Sequence, residues 1–222
     1  MRGKIAGYNL IKNNKGSTLV EMIVSFALLS IFLVSAAVII GLIATMYFEV
    51  KGETYANQVS DILLEKTVSE IEGALYTEGD IINNPRIDGD VNNSFGSSLS
   101  VIDKTDTSVT IKVENSRLVL NYDEIRDEQN EANNRNATTW RFDSGVYNGF
   151  EITDFKLIRG DAISNHSSET SEYGITASVG DYSKNVVLIL LTLNSPRYGD
   201  YKSYRFVKMY NVPESIPSET NP

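Results

Sequence analysis

Lys15-Gly16-Ser17-Thr18-Leu19-Val20-Glu21-Met22-Ile23 opens a run that carries no charge from Met22 to Phe48, 27 residues in all. About 20 such residues cross the hydrocarbon of a bilayer, and stretches of 10–14 do not. The alternative, a core helix of a soluble protein, requires a domain that encloses a helix apolar on every face. The run therefore reads as a membrane span. Glu21 places an ionisable group at its mouth, which costs roughly 2.5–3.5 kcal/mol on insertion scales and calls for a partner. Thr18 and Glu21 also fit the S/T-x-x-E capping box, in which each side chain satisfies the other's backbone N–H. That box explains a helix start. It explains neither Gly16 nor what precedes it.

Upstream, residues 1–16 hold Arg2, Lys4, Lys12 and Lys15 and no acid, so the formal charge of −9 divides into +4 there and −13 in the remainder. Basic residues just before a span stay in the cytoplasm, so the chain from Glu49 onward is expected outside. An acidic exterior lacks the Lys and Arg that nucleic-acid affinity needs, and no direct nucleic-acid binding is expected. There is no cysteine, which excludes a disulfide scaffold, Cys-based catalysis and cysteine-containing zinc sites. A conventional secretory signal ending at Val34-Ser35-Ala36 is a rival reading. Against it, the apolar run continues twelve residues past Ala36 and Glu21 interrupts the leader.

The stretch from Lys15 to Glu21 resembles the prepilin peptidase signal of type IV pilins and pseudopilins. In that family a short basic leader ends in glycine, cleavage follows the glycine, and the new terminal amine is methylated. A glutamate stands five residues into the mature chain, ahead of an apolar helix. The resemblance implies cleavage between Gly16 and Ser17, N-methylation of Ser17, and a role for Glu21 in assembly, paired with an N-terminal amine in the filament. The partners it implies are a prepilin peptidase, other pilin or pseudopilin subunits, a membrane assembly platform and membrane lipid. Many major pilins begin with phenylalanine after cleavage and carry a proline in the span. Here Ser17 would come first and no proline precedes Pro85. Both departures resemble minor pilins and pseudopilins.

Beyond the span, Val59, Ile62, Leu63, Ile71 and Leu75 recur at three- and four-residue spacings among polar residues, so the helix is expected to continue as an amphipathic one. Gly73, Gly79 and Pro85 mark its end. A helix from Thr18 to Tyr76 would be about 90 Å long at ~1.5 Å per residue. The rest reads as β-rich. Val109, Ile111 and Val113 alternate with polar residues, and Leu118, Leu120 and Tyr122 repeat the pattern after Asn115-Ser116, which predicts a hairpin. Phe150–Ile158 is a strand whose alternation slips between Ile152 and Phe155, as at a bulge. Val186–Leu193 is nearly all apolar and reads as a central strand, with Ser203–Tyr210 its neighbour. Asp123–Thr139 is polar, a surface loop or short helix. The expected class is α+β: the pilin fold, a long N-terminal helix packed on an antiparallel sheet. The expected divisions are leader 1–16, span 17–48, amphipathic helix 49–76, head 77–211 and a disordered tail 212–222. The run Tyr204-Arg205-Phe206-Val207-Lys208-Met209-Tyr210-Asn211 after an apolar strand resembles J-type minor pseudopilins and their pilus counterparts.

No catalytic set stands out. His166 is the one histidine and reads as a surface-loop residue, so neither a metal cluster nor a Ser-His pair is expected. Asp88-Gly89-Asp90-Val91-Asn92 spaces oxygen ligands as calcium loops do, but Asn93 and Leu99 break the pattern, and the same residues serve ordinary turns. The expectation is a structural subunit, not an enzyme, with no cofactor. The alternative is a single-pass anchored binding domain that is neither cut nor polymerised.

Overall fold

The computed structural model describes residues 18–75, 86–89, 94–103, 105, 107–126, 134–175 and 182–211. One helix, α1, runs unbroken from Leu19–Glu72. The chain divides into two units that meet between Tyr47 and Phe48. Within the first unit, every described residue but the half-buried Ala36 is exposed.

The second unit holds the rest of α1 and one antiparallel sheet. Its strands are β1 (Arg86–Gly89), β2 (Phe95–Ile102), β3 (Ser108–Glu114), β4 (Arg117–Tyr122), β5 (Thr138–Arg141), β6 (Glu151–Arg159), β7 (Val186–Ser195) and β8 (Gly199–Lys208). The order is β5-β4-β3-β2-β6-β7-β8, with β1 paired to β2. β2 is the junction: Phe95 and Gly96 pair with β6, and Ser98 to Ile102 pair with β3. The hairpin falls where alternation put it. Asn115 and Ser116 both have positive φ, the two-residue turn whose twist matches antiparallel strands. In β6 the register shifts between Ile152 and Asp154, and this bulge lets Ile152, Phe155 and Leu157 all reach the same core.

That core lies between α1 and the sheet. The buried stripe of α1 is Gly52, Ala56, Val59, Ser60, Leu63, Leu64, Thr67 and Ile71, an arc repeating every three to four residues. Ile62, expected on this stripe, is 43% exposed. At ~100° per residue it falls roughly 60° outside the arc, and Leu64 is buried in its stead. The stripe meets Leu99, Ile111, Leu120, Leu157, Ile189 and Leu191. A helix stacked on an antiparallel sheet across one core is the pilin arrangement expected above.

From Val186 to Leu191 β7 is apolar on both faces because both are covered. Ile189 and Leu191 face the core under α1. Leu188 and Leu190 face a second cluster with Ala162, Ile163 and Tyr173, supplied by a 3-10 segment, Gly160–His166, and a short helix α2, Ser167–Ser171. His166 closes that segment. It is stacked on Phe95 with centroids 4.2 Å apart and is half-buried, so it is not the surface-loop residue expected. Thr138 and Thr139 lie in β5, and Ile125 bridges Arg135, so the polar stretch from Asp123 is partly strand. Asp88 and Gly89 belong to β1; Asp90 to Asn93 lie outside the described residues, as do the expected leader and the tail 212–222.

Candidate assembly site at the amino terminus

α1 begins with the reciprocal pair that its sequence dictates. The Thr18 backbone N–H donates to Glu21 Oε2 at 2.7 Å, and the Glu21 N–H donates to Thr18 Oγ1 at 3.3 Å. Two backbone donors that the first turn of a helix leaves without intrahelical acceptors are thus satisfied. The first helical bond, from the Met22 N–H to the Thr18 carbonyl, is 3.1 Å. The Glu21 carboxylate also sits in the first turn, where the helix dipole favours negative charge.

Beyond this pair the helix presents apolar side chains all round. Three of its hydroxyls are internally satisfied: Ser30 Oγ donates to the Phe26 carbonyl at 2.7 Å, Ser35 to Ile31 at 2.9 Å and Thr45 to Gly41 at 3.1 Å. Such bonds let a hydroxyl sit in hydrocarbon without an unpaired donor. Among the described residues this is the one helix long and apolar enough to cross a membrane. Such a surface is suited to lipid or to other helices.

Of the predicted site residues, the structure describes Glu21 and places it on Thr18. Gly16 and Ser17 lie outside the described residues. Two features of the second unit escaped sequence reasoning. Lys66 pairs with Glu70 and lies over the Trp140 ring, 5.0 Å from its centroid, while Tyr122 Oη donates to Glu70 Oε1 at 2.9 Å. This clamp ties α1 to β4 and β5. Burial first, and then the bond to Glu70, push the Tyr122 phenol well above its usual value. The second feature is Gly52, which passes so close to Tyr198 and Tyr201 that any side chain there would collide. Residues 52 and 198 are too far apart in the chain for a periodicity to connect them.

Residues 11–37 match the family model of the prokaryotic N-terminal methylation motif. The motif is the signal of type IV pilin-like precursors. Over these residues the chain is similar to pilin-like precursors of the kind processed by a prepilin peptidase. No curated protein matches the chain.

Proposed function

We propose that this protein is a minor pilin or pseudopilin, a structural subunit of a type IV pilus or related filament. It is held in the membrane by α1 with its head outside, cut after Gly16, methylated at Ser17, and packed into the filament through α1. The observation that carries this reading is the methylation motif leading into an exposed apolar span, up to Phe48, whose one carboxylate, Glu21, stands at the first turn of α1. Uncapped by a leader, Ser17 supplies an amine one residue from the Thr18–Glu21 pair. In a bundle of apolar helices that amine and the Glu21 carboxylate are the charges that need each other. Other subunits and the assembly platform recognise the subunit through this helix and its head.

Intact mass and N-terminal sequencing of protein from its native membrane test the processing. The expected mature chain starts at Ser17. A retained Met1 favours the anchored binding domain instead, and a start at Ala37 favours a secretory signal. Gly16→Val blocks removal of the leader, because a branched side chain crowds a cleft that glycine lets the backbone approach. Glu21→Gln tests the pairing. Glutamine keeps the capping box with Thr18 but cannot neutralise an amine, so cleavage persists while the filament fraction falls. Filaments as abundant as wild type, at equal expression of cleaved protein, reduce Glu21 to a helix cap.

A further inference from the structure

Where the apolar run ends, two cations stand in a bed of aromatic rings. Lys51 is the first cation after Lys15. It stands three residues beyond Phe48, about 4.5 Å along the helix. Its Nζ lies 5.5 Å from the centroid of Tyr55. Arg197, in the turn between β7 and β8, comes to the same level: its guanidinium carbon lies 5.1 Å from the Phe48 ring and 5.3 Å from the Tyr198 ring. Lys51, Tyr55, Asn148, Gly149, Arg197 and Tyr198 line a cavity of about 430 Å³ that opens to solvent. The rings fix the guanidinium by cation–π contact. Among the described residues no carboxylate pairs with Arg197, whereas Arg205, further along β8, is bridged to Asp61. Glu49 and Glu53 each lie two residues from Lys51, about 200° round the helix. Their charge falls on Tyr201, whose pKa burial raises first and these carboxylates raise further.

We propose that this cavity binds the phosphodiester of an anionic lipid headgroup while the subunit waits in the membrane; the inference rests on the reading of Met22–Phe48 as a span. Charge and depth together carry it. A run of 27 residues is about 40 Å of helix, which spans the hydrocarbon and reaches the headgroups of a bilayer ~40–45 Å thick. Phe48, Lys51 and the guanidinium stacked on Phe48 therefore stand at headgroup depth. The chain after the leader carries −13, which an anionic surface repels. Lys51 and Arg197 give that acidic head an attractive contact at the lipid end, with Arg197 offering a planar fork to two phosphate oxygens and Lys51 a point charge beside it. Aromatic rings among the cations suit the polar–apolar boundary. The site holds the head against the bilayer and is vacated when the subunit is drawn into a filament.

The test uses the full chain. Flotation with phosphatidylcholine vesicles first measures insertion alone. The chain in detergent is then titrated with phosphatidylglycerol or phosphatidylcholine of matched acyl chains, and retained lipid is counted by native mass spectrometry. Phosphatidylglycerol is expected to be preferred. Lys51→Gln and Arg197→Gln, both surface changes, each lower that preference about five-fold, while Arg205→Gln leaves it unchanged. An equal loss with Arg205→Gln means bulk electrostatics and overturns the site, as does a preference indifferent to Lys51 and Arg197. Displacement of the lipid by inorganic phosphate at matched concentration assigns the cavity to a soluble anion and overturns the lipid reading. A chain that floats without headgroup preference loses this inference alone. A chain that does not float loses the membrane reading with it.

Discussion

Replacing Gly52 tests how the head is seated on the helix. A Cβ at that position would stand 2.6 Å from Tyr201 Oη, 2.8 Å from Tyr198 Cβ and 2.9 Å from Tyr198 Cδ1. The Tyr201 hydroxyl is the far end of a side chain and can swing away. Tyr198 Cβ cannot, because it is fixed to a turn closed by the bond from the Tyr198 N–H to the Ser195 carbonyl, 3.1 Å. Two effects oppose each other. Removing glycine from a helix interior is favourable by about 1 kcal/mol for alanine and by a few tenths for valine. Overpacking a filled site is unfavourable by about 1–3 kcal/mol. Gly52→Ala is therefore expected to be neutral or up to about 2 kcal/mol destabilising, and Gly52→Val to lose about 2–3 kcal/mol. For a chain of this size the valine variant should melt about 4–12 °C lower. Thermal unfolding of the full chain in detergent, followed by far-UV circular dichroism, measures it. Gly41→Ala is the control, since a Cβ there meets nothing within 4 Å. If Gly52→Ala melts higher than wild type by the full propensity gain, α1 does not press on the Tyr198 turn and the reasoning fails.

Tyr122→Phe keeps the ring but removes the donor to Glu70, and should lower stability by about 1–2 kcal/mol in the same melting assay; Glu70→Gln combined with it should add less than its separate effect, because both act on one clamp. Acid should weaken the head in a defined window. Glu114 is held below its ordinary 4.5 first by its hydrogen bond to Lys112, Glu169 by Ser168, and Glu172 by Lys202. The native state thus binds these protons less readily than the unfolded chain, so their stabilisation is full above pH 4.5 and lost as pH falls through the lowered values. Melting temperature recorded from pH 7 to pH 3 should decline only below that point, and Lys202→Gln should shrink the decline. On the alkaline side, burial pushes the Tyr173 phenol up to about 12. The neutral form is favoured in the fold, so stability is complete below pH 10 and falls between pH 10 and pH 12. Tyr173→Phe should flatten that limb.

Sequence legibility followed how each element meets its neighbours. The hairpin was readable because Asn115-Ser116 accepts positive φ and the alternating apolar residues of both strands, Val109 and Ile111 with Leu118 and Leu120, are buried. The bulge in β6 was readable because a three-residue step from Ile152 to Phe155 cannot keep both on one face of a regular strand. β7 betrayed an interior place, between β6 and β8, by its unbroken apolar run from Val186 to Leu191. β1, β2 and β5 were not found. Phe95-Gly96-Ser97-Ser98 carries little apolar pattern, and β5 is four mostly exposed residues whose strand character comes from pairing with β4. The cover from Gly160 to Ser171 was missed for a related reason: Ala162 and Ile163 are too few to mark a helix, and their burial depends on Leu188 and Leu190 beneath them. Ile62 was misplaced because spacing alone leaves the centre of a helical stripe uncertain by a residue. Neither the Gly52 contact nor the cavity at Arg197 has a local signature, since both join the helix to a turn near the far end of the chain.

On the proposed function, the two roles of Glu21 would belong to different states of one molecule. The capping box is local: Thr18 and Glu21 are three residues apart, and their two bonds require only that the helix starts at Leu19. They can form before and after any cut. The amine at Ser17 exists only once the leader is gone. A carboxylate already oriented by Thr18 has little side-chain entropy left to lose when an amine arrives. Charge pairing in an apolar bundle is then favoured by preorganisation and not opposed by the cap. On the proposed reading, Lys12 and Lys15 of the leader would stay on the cytoplasmic side of the span and would hold Glu21 near water, where its charge is tolerated. The proposed cut after Gly16 would remove that tether, and the carboxylate would then enter a helix bundle only with a cation beside it. Glu21→Gln therefore separates the states cleanly: the precursor should insert and be cut as before, and the defect should appear only where cleaved helices meet one another.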